Sequence, residues 1–300
     1  MSAPPQTTAS ASPSRPAGAR AWTRSISRFL RRNPLATLGL VLVILILAAT
    51  VLAPLLTPYD PIVIEIRNKF APPSLDHLLG TDSFGRDVLS RILFGGRNTL
   101  AIGLLVVVIA FGVGVPIGIF AGFRGGRADA VIMRFVDAML AFPSLVLAIA
   151  LAAALGPSLR NAMLAVAITF TPQFARVARG QAINVRYMPY IEAARATGVG
   201  DLRLMVRYVL PNSLGPLLVQ ASLNLGSAIL QTASLGFLGL GAQPPLPEWG
   251  ADVAANTSFL RESPWVAIFP GLAILLTVLA FNLIGDGLVD WLNPRTRAGD

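Results

Sequence analysis

Long uncharged stretches alternate with short charged ones along this chain, and that alternation predicts its elements. Asn33–Tyr59, Asn98–Phe123, Ala138–Leu159, Asn161–Ala175 and Ser263–Gly285 contain no Asp, Glu, Lys or Arg. A helix crosses about 30 Å of hydrocarbon with roughly 20 apolar residues. The fourth window has only 15 residues, and it lengthens if Arg160 and Arg176 snorkel to the interfaces. Arg207 and Glu248 bracket a further 40 uncharged residues, in which one helix is expected at about 214–238. Lipid offers no partners for backbone N–H and C=O groups, so such runs must be helices or barrel strands. Barrel strands alternate over about ten residues, whereas these runs are longer and continuous. The expectation is an all-α polytopic membrane protein with six transmembrane helices.

Arg and Lys in the loops set the orientation. Residues 1–34 hold six Arg and no acid, 124–134 hold three, 176–207 hold six, and the tail adds Arg295 and Arg297. The opposite side carries seven: five within 60–97, plus Arg160 and Arg261. The richer side faces the cytoplasm, so both termini are expected inside. Residues 1–27 read as a disordered cytoplasmic tail, since Ala, Ser, Pro and Thr offer too little apolar surface to order it. The apolar run that follows exceeds the 7–15 residues of a signal-peptide h-region and reads as a retained anchor. The remaining divisions are 28–97 (first helix and extracytoplasmic segment), 98–290 (core, with a cytoplasmic loop at 173–213) and 291–300 (cytoplasmic tail).

Composition narrows the chemistry. Hydrophobic residues make up 54% of the chain and charged ones 13%, against about 25% charged in soluble proteins. With no Cys there is no disulfide, thiolate nucleophile or thiolate metal site. The single His, His77, rules out a multi-histidine metal site, and no metal is expected. The single Lys, Lys69, precedes Phe70, so the Gly-Lys-Ser/Thr of a phosphate-binding P-loop is missing. The chain is therefore not expected to be an ATP-hydrolysing enzyme by that route. Its net charge of +9 follows from topology rather than from nucleic-acid binding.

The loop 173–213 is far longer than packed helices need. Pro189 suits the first turn of a short helix, Gly198 and Gly200 stop it, and Asp201 is placed to cap a second helix, Leu202–Leu210, that Pro211 ends. Two readings of this helix-turn-helix stand side by side. It docks a protein, or it rests as an amphipathic surface on lipid headgroups.

Glu192-Ala193-Ala194, three residues, Gly198, nine residues, then Tyr208-Val209-Leu210-Pro211 resembles the EAA loop of ABC-importer permeases, E-A-A-x3-G-x9-I-x-L-P, with Tyr208 in place of Ile. HLLGTDSFGRDVLSR (His77–Arg91), LGFLGLGAQPPLPEWG (Leu235–Gly250) and FNLIGDGLVDWLNPR (Phe281–Arg295) are similar to segments of the "C"-type permeases of dipeptide and oligopeptide importers. The resemblance covers about residues 28–295. It implies a type I importer permease fold in a bacterial inner membrane. The implied partners are a second homologous permease, two ATP-binding subunits and an extracytoplasmic solute-binding protein. ATP and Mg would be bound by the ATPase subunits, leaving this chain without a cofactor. The ATPase-coupling residues it implies are Glu192, Ala193, Ala194, Gly198, Leu210 and Pro211. Glu192 would pair with a basic ATPase residue, the two alanines would allow close approach, and Gly198 would allow the turn. The substrate class implied is short peptides, while relatives within the family handle nickel, glutathione, D-amino-acid peptides or sugars.

Other features weigh in on the same question. Gly114, Gly118 and Gly122 form a small-xxx-small pattern that suits close helix packing within the chain or between subunits. Asp137 and Asp286 are expected at cytoplasmic helix ends, solvated or ion-paired. The outer segment 60–97 balances five acids against five bases, which predicts local pairing, and His77 among them is expected to make a structural hydrogen bond. Trp249 and Trp265 read as interface anchors. An ion-driven secondary transporter would call for charge within the windows, and a channel for a filter or charged ring; the windows offer neither.

Overall fold

The computed structural model describes residues 33–292, which are helical throughout their regular structure, with no β-strand among them. The expected tails, 1–27 and 291–300, lie outside the described residues apart from the end of the last helix. The helices are α1 (Pro34–Val51), α2 (Ala53–Leu56), α3 (Val88–Arg124), α4 (Gly126–Leu140), α5 (Ser144–Leu155), α6 (Leu159–Arg186), α7 (Pro189–Ala196), α8 (Asp201–Leu204), α9 (Leu210–Phe237), α10 (Trp249–Asn256) and α11 (Trp265–Leu292).

Among the described residues, four helical runs are long and apolar enough to cross a membrane: α1, α3, the continuous stretch Asp201–Phe237, and α11. A fifth is gained if α4 and α5 form one broken span. The span expected over Ala138–Leu159 is not one continuous helix: α4 ends at Leu140, and α4 and α5 meet at 91°. Pro143 supplies the reason, because it lacks an N–H and steers Phe142 away from helical geometry. The expected fourth window lies within α6, whose second half carries Arg176, Arg179 and Arg186.

Pro211 does not end a helix. Residues Asp201–Leu204, a π-helical turn over Met205–Val209, and α9 run on without a break. A π turn shifts the hydrogen-bond register by one residue, which gives a proline without an N–H a place in the helix. Asp201 is likewise not a side-chain cap; it faces Arg124 at 3.3 Å and Arg195 at 3.8 Å.

The centre of the fold is the contact of α3 with α6. A Cβ on Gly114, Gly118 or Gly122 would lie 2.5, 2.1 or 2.5 Å from the carbonyl oxygens of Thr171, Ala175 and Arg179. The small-residue pattern therefore packs helices within this chain, letting the backbones touch. Phe170 and Phe174 fill the adjoining core, with Phe111 edge-on to Phe174 at 5.6 Å between centroids. Helix α4 is tied to α6 by two ion pairs, Asp129–Arg179 and Asp137–Arg176 at 2.5 and 2.6 Å. Asp286 is exposed on α11.

Helix α3 begins ten residues before its expected window. Asp87 caps it, accepting from the backbone N–H of Ser90 at 2.7 Å and from its hydroxyl at 2.9 Å. At about 1.5 Å per residue its 37 residues outreach the hydrocarbon, so its first turns belong to segment 60–97. Arg97 there donates to the carbonyls of Thr50 and Val51 at 2.7 and 2.8 Å, satisfying the open C-terminus of α1. On its other side α1 lies against α11, with no room for a Cβ at Gly39 beside Ala280.

Candidate functional site

Segment 173–213 forms the short helix the sequence predicts, α7, with Pro189 in its first turn. Its end is a Schellman turn. Gly198 takes φ +83°, its N–H reaches the Arg195 carbonyl at 3.0 Å, and the Val199 N–H reaches Ala194 at 3.1 Å. Both bonds need a left-handed residue at that position, which glycine adopts without a Cβ clash. Val199 and Ala194 then pack on the main core beside the fully buried Ile191.

One side of α7 is consequently fixed and the other free. Glu192, Ala193, Ala196 and Gly198 are exposed, while Ala194 is half-buried. Tyr208 also leans on this helix, stacked on Tyr190 at 6.4 Å between centroids. Leu210 is half-buried against the core and Pro211 is exposed. Gly198 and Pro211 line one open groove of about 1100 Å³ together with Asp201, Arg203 and Arg207. Four of the six expected coupling residues thus divide between the α7 surface and this groove; Ala194 and Leu210 pack inward. The arrangement offers a carboxylate, a flat patch of small side chains and a groove with two guanidiniums, which is chemistry for recognising a surface.

The opposite end carries a buried polar network. Asp82 accepts from the Arg86 guanidinium at 2.6 Å and lies 4.0 Å from Arg91. Arg91 clasps Asp252 on α10, with Nε 2.9 Å from Oδ1 and Nη2 on the same oxygen, and donates Nη1 to the Pro61 carbonyl at 2.9 Å. His77 Nδ1 sits 3.0 Å from Asp87, a structural hydrogen bond of the expected kind, with Tyr59 stacked on its ring. Glu248 caps α10, accepting from Gly250 and Ala251 at 2.9 and 2.8 Å, and Thr99 of α3 donates to it at 3.3 Å. Burial pushes Glu248 up to about 6 against the pull of those donors. Burial likewise raises Asp252 to about 6, opposed by Arg91.

Trp249 is not an interface anchor. It is 2% exposed and its indole N–H donates to the Ile92 carbonyl at 2.8 Å, because α10 is pressed onto α3 by the Glu248 and Asp252 contacts. Trp265 donates to Thr81 at 3.3 Å, half-buried beneath segment 60–97. Helix α10 itself went unforeseen in the sequence. Its signal was available: Glu248 as an N-cap acid, with Asp252 and Asn256 one turn apart on one face.

Comparison with known proteins places these features in a family. Residues 114–298 match the family described as binding-protein-dependent transport system inner membrane component. Residues 21–73 match the N-terminal transmembrane domain of oligopeptide transport permease C. The chain is 50% identical over 266 residues to the probable D,D-dipeptide transport system permease protein DdpC of Escherichia coli K12, covering 89% of each chain. It is 44% identical over 277 residues to the dipeptide transport system permease protein DppC of Alkalihalophilus pseudofirmus, covering 92% of this chain and 91% of that one. A chain of the MetNI methionine ABC transporter in an inward-facing conformation shares the fold, with a TM-score of 0.53 at 19% identity, over 67% of this chain and 96% of that one.

Proposed function

The chain belongs to the family of binding-protein-dependent transport system inner membrane components, and from that premise we propose a peptide-importing permease that is driven through α7. It is the membrane subunit of an ATP-driven importer, and its substrates are dipeptides or short oligopeptides. The names of its relatives support that class. A second permease completes the path, two ATPase subunits bind ATP and Mg below it, and an extracytoplasmic binding protein delivers the solute above. Six crossings with both termini in the cytoplasm are the topology that goes with this role. They count α4–α5 as one bent crossing and α6 as another.

The observation that carries the coupling assignment is the two-sided character of α7. Ile191 anchors it while Glu192 and Ala193 stay exposed. An ATPase that seats on this helix moves it as a lever, and α7 is tied through the Schellman turn to the 37-residue run Asp201–Phe237. Displacement at α7 would therefore tilt a whole span, a rigid-body switch of access.

The test is co-purification in mild detergent of the tagged chain with co-expressed ATPase and permease neighbours. Wild type retains the ATPase, whereas Glu192→Arg and Gly198→Pro lose it. If both variants keep the ATPase in full, the docking role of this loop is wrong.

A further inference from the structure

Helix α9 is apolar overall, yet five of its polar side chains line up along it: Gln220, Asn224, Ser227, Gln231 and Ser234. At 3.6 residues per turn they fall within an arc of about 80°, and no apolar side chain enters that arc between them. Three of the five are amides, which a lipid-facing surface would leave without partners.

The amides are also incompletely used within the chain. Gln220 donates to Asn224 Oδ1 at 3.0 Å, and Gln231 donates to the Ser144 hydroxyl at 3.1 Å. The Asn224 amide nitrogen, on a side chain 5% exposed, and the Gln231 carbonyl oxygen remain buried without a partner. One is a donor and the other an acceptor. Seven residues of helix separate them by about 10 Å along the axis, close to the reach of three residues of extended peptide. Peptide backbone is the ligand that offers a carbonyl and an N–H at such intervals.

The neighbourhood of Gln231 agrees. Its partner Ser144 opens α5 directly after the break at 141–143, whose residues are exposed. Non-helical backbone within an apolar run is tolerated where it meets protein or lines a water-filled cavity.

We infer that this stripe is the face of α9 that the solute touches during passage, with Asn224 and Gln231 reading peptide backbone once the rigid-body switch of access uncovers them. The inference rests on the importer reading above and adds to it where selectivity inside the membrane resides. The stripe bears no charge, so it grips what all peptides share rather than their variable side chains.

The chain has no cysteine, so single cysteines can be placed without background. In the complex assembled with its ATPases and permease partner, Ser227→Cys and Ser234→Cys react with a membrane-impermeant thiol reagent, and a transported dipeptide slows the reaction. Leu105→Cys and Leu272→Cys, at exposed apolar positions of α3 and α11, do not react. Silence at both serine positions with and without ATP means that lipid or a partner helix covers the stripe, and the inference fails. Reaction without protection by peptide means water but no solute contact, which overturns it equally. In uptake assays the preference for a dipeptide over its backbone N-methylated analogue falls about fivefold in Gln231→Leu, the loss of one hydrogen bond. An unchanged preference refutes the role of Gln231, since the binding protein contributes equally to wild type and variant. A wild-type complex that takes up no peptide at all overturns the importer reading, and this assignment falls with it.

Discussion

Arg91 and Asp252 stand 161 residues apart in the chain and meet in a buried ion pair, with side chains 7% and 5% exposed. The pair joins the first turn of α3 to α10, and through α10 segment 60–97 to α11. One oxygen of Asp252 takes both guanidinium contacts, while Oδ2 is left without a partner.

Removing one member leaves the other charge buried and unpaired, which typically costs about 3–5 kcal/mol. Arg91→Met is therefore expected to lower the Tm of the detergent-purified chain more than any exposed substitution. Arg91→Met with Asp252→Leu should recover part of the loss, because the paired change removes both desolvated charges. A double variant no better than Arg91→Met alone would deny the pair its buried, coupled character. Thermal unfolding followed by tryptophan fluorescence reads both.

Glu248 gives the cap of α10 a pH dependence with a defined sign. Its folded value is about 6 against an ordinary 4.5, so its contribution is fully present below 4.5 and is lost as pH rises through 6. The difference corresponds to about 2 kcal/mol. Asp252 lies on the same short helix and shifts in the same direction. Thermal stability at pH 5 should exceed that at pH 7.5, and Glu248→Gln should flatten much of the slope. A wild-type profile that rises with pH across this window would contradict the assignment.

Two glycines of α3 should respond in opposite ways. Gly118→Ala drives a Cβ to 2.1 Å from the Ala175 carbonyl, whereas Gly112 has nothing within 4 Å. Gly112→Ala should stabilise the helix by up to about 1 kcal/mol. Gly118→Ala must push α3 and α6 apart and should lower the yield of folded protein. Comparing monodisperse peaks in size-exclusion chromatography separates the two outcomes.

Charge-free windows made most of the helices legible, because lipid forbids alternatives to helix and because charge marks the ends. They missed what depends on contact. Charge counting cannot see that Pro143 bends a window by 91°, nor that a π turn lets α9 carry Pro211. The first turns of α3 were hidden because Arg91 and Arg97 read as loop charges, whereas each satisfies groups on another element. Trp249 misled for the same reason, since its depth is set by α10 pressing on α3. Helix α7 was legible down to Gly198, as Schellman turns follow local rules. The α9 stripe was present in the spacing of five residues, but only the orphaned amide atoms give it meaning.

Tyr208 is the position where the loop departs from the family pattern, and its geometry says how much that matters. The ring stacks on Tyr190 of α7, is half-buried, and touches the main core. It supports α7 from behind, on the side away from exposed Glu192. Isoleucine there would fill part of the same apolar space and lose the ring contact, a change worth about 1 kcal/mol. Tyr208→Ile should therefore retain ATPase co-purification within about twofold of wild type. Tyr208→Asp places a charge in that half-buried contact and should loosen α7 and release the ATPase even with Glu192 intact. Full retention of the ATPase by Tyr208→Asp would mean that the support of α7 from behind is dispensable for docking.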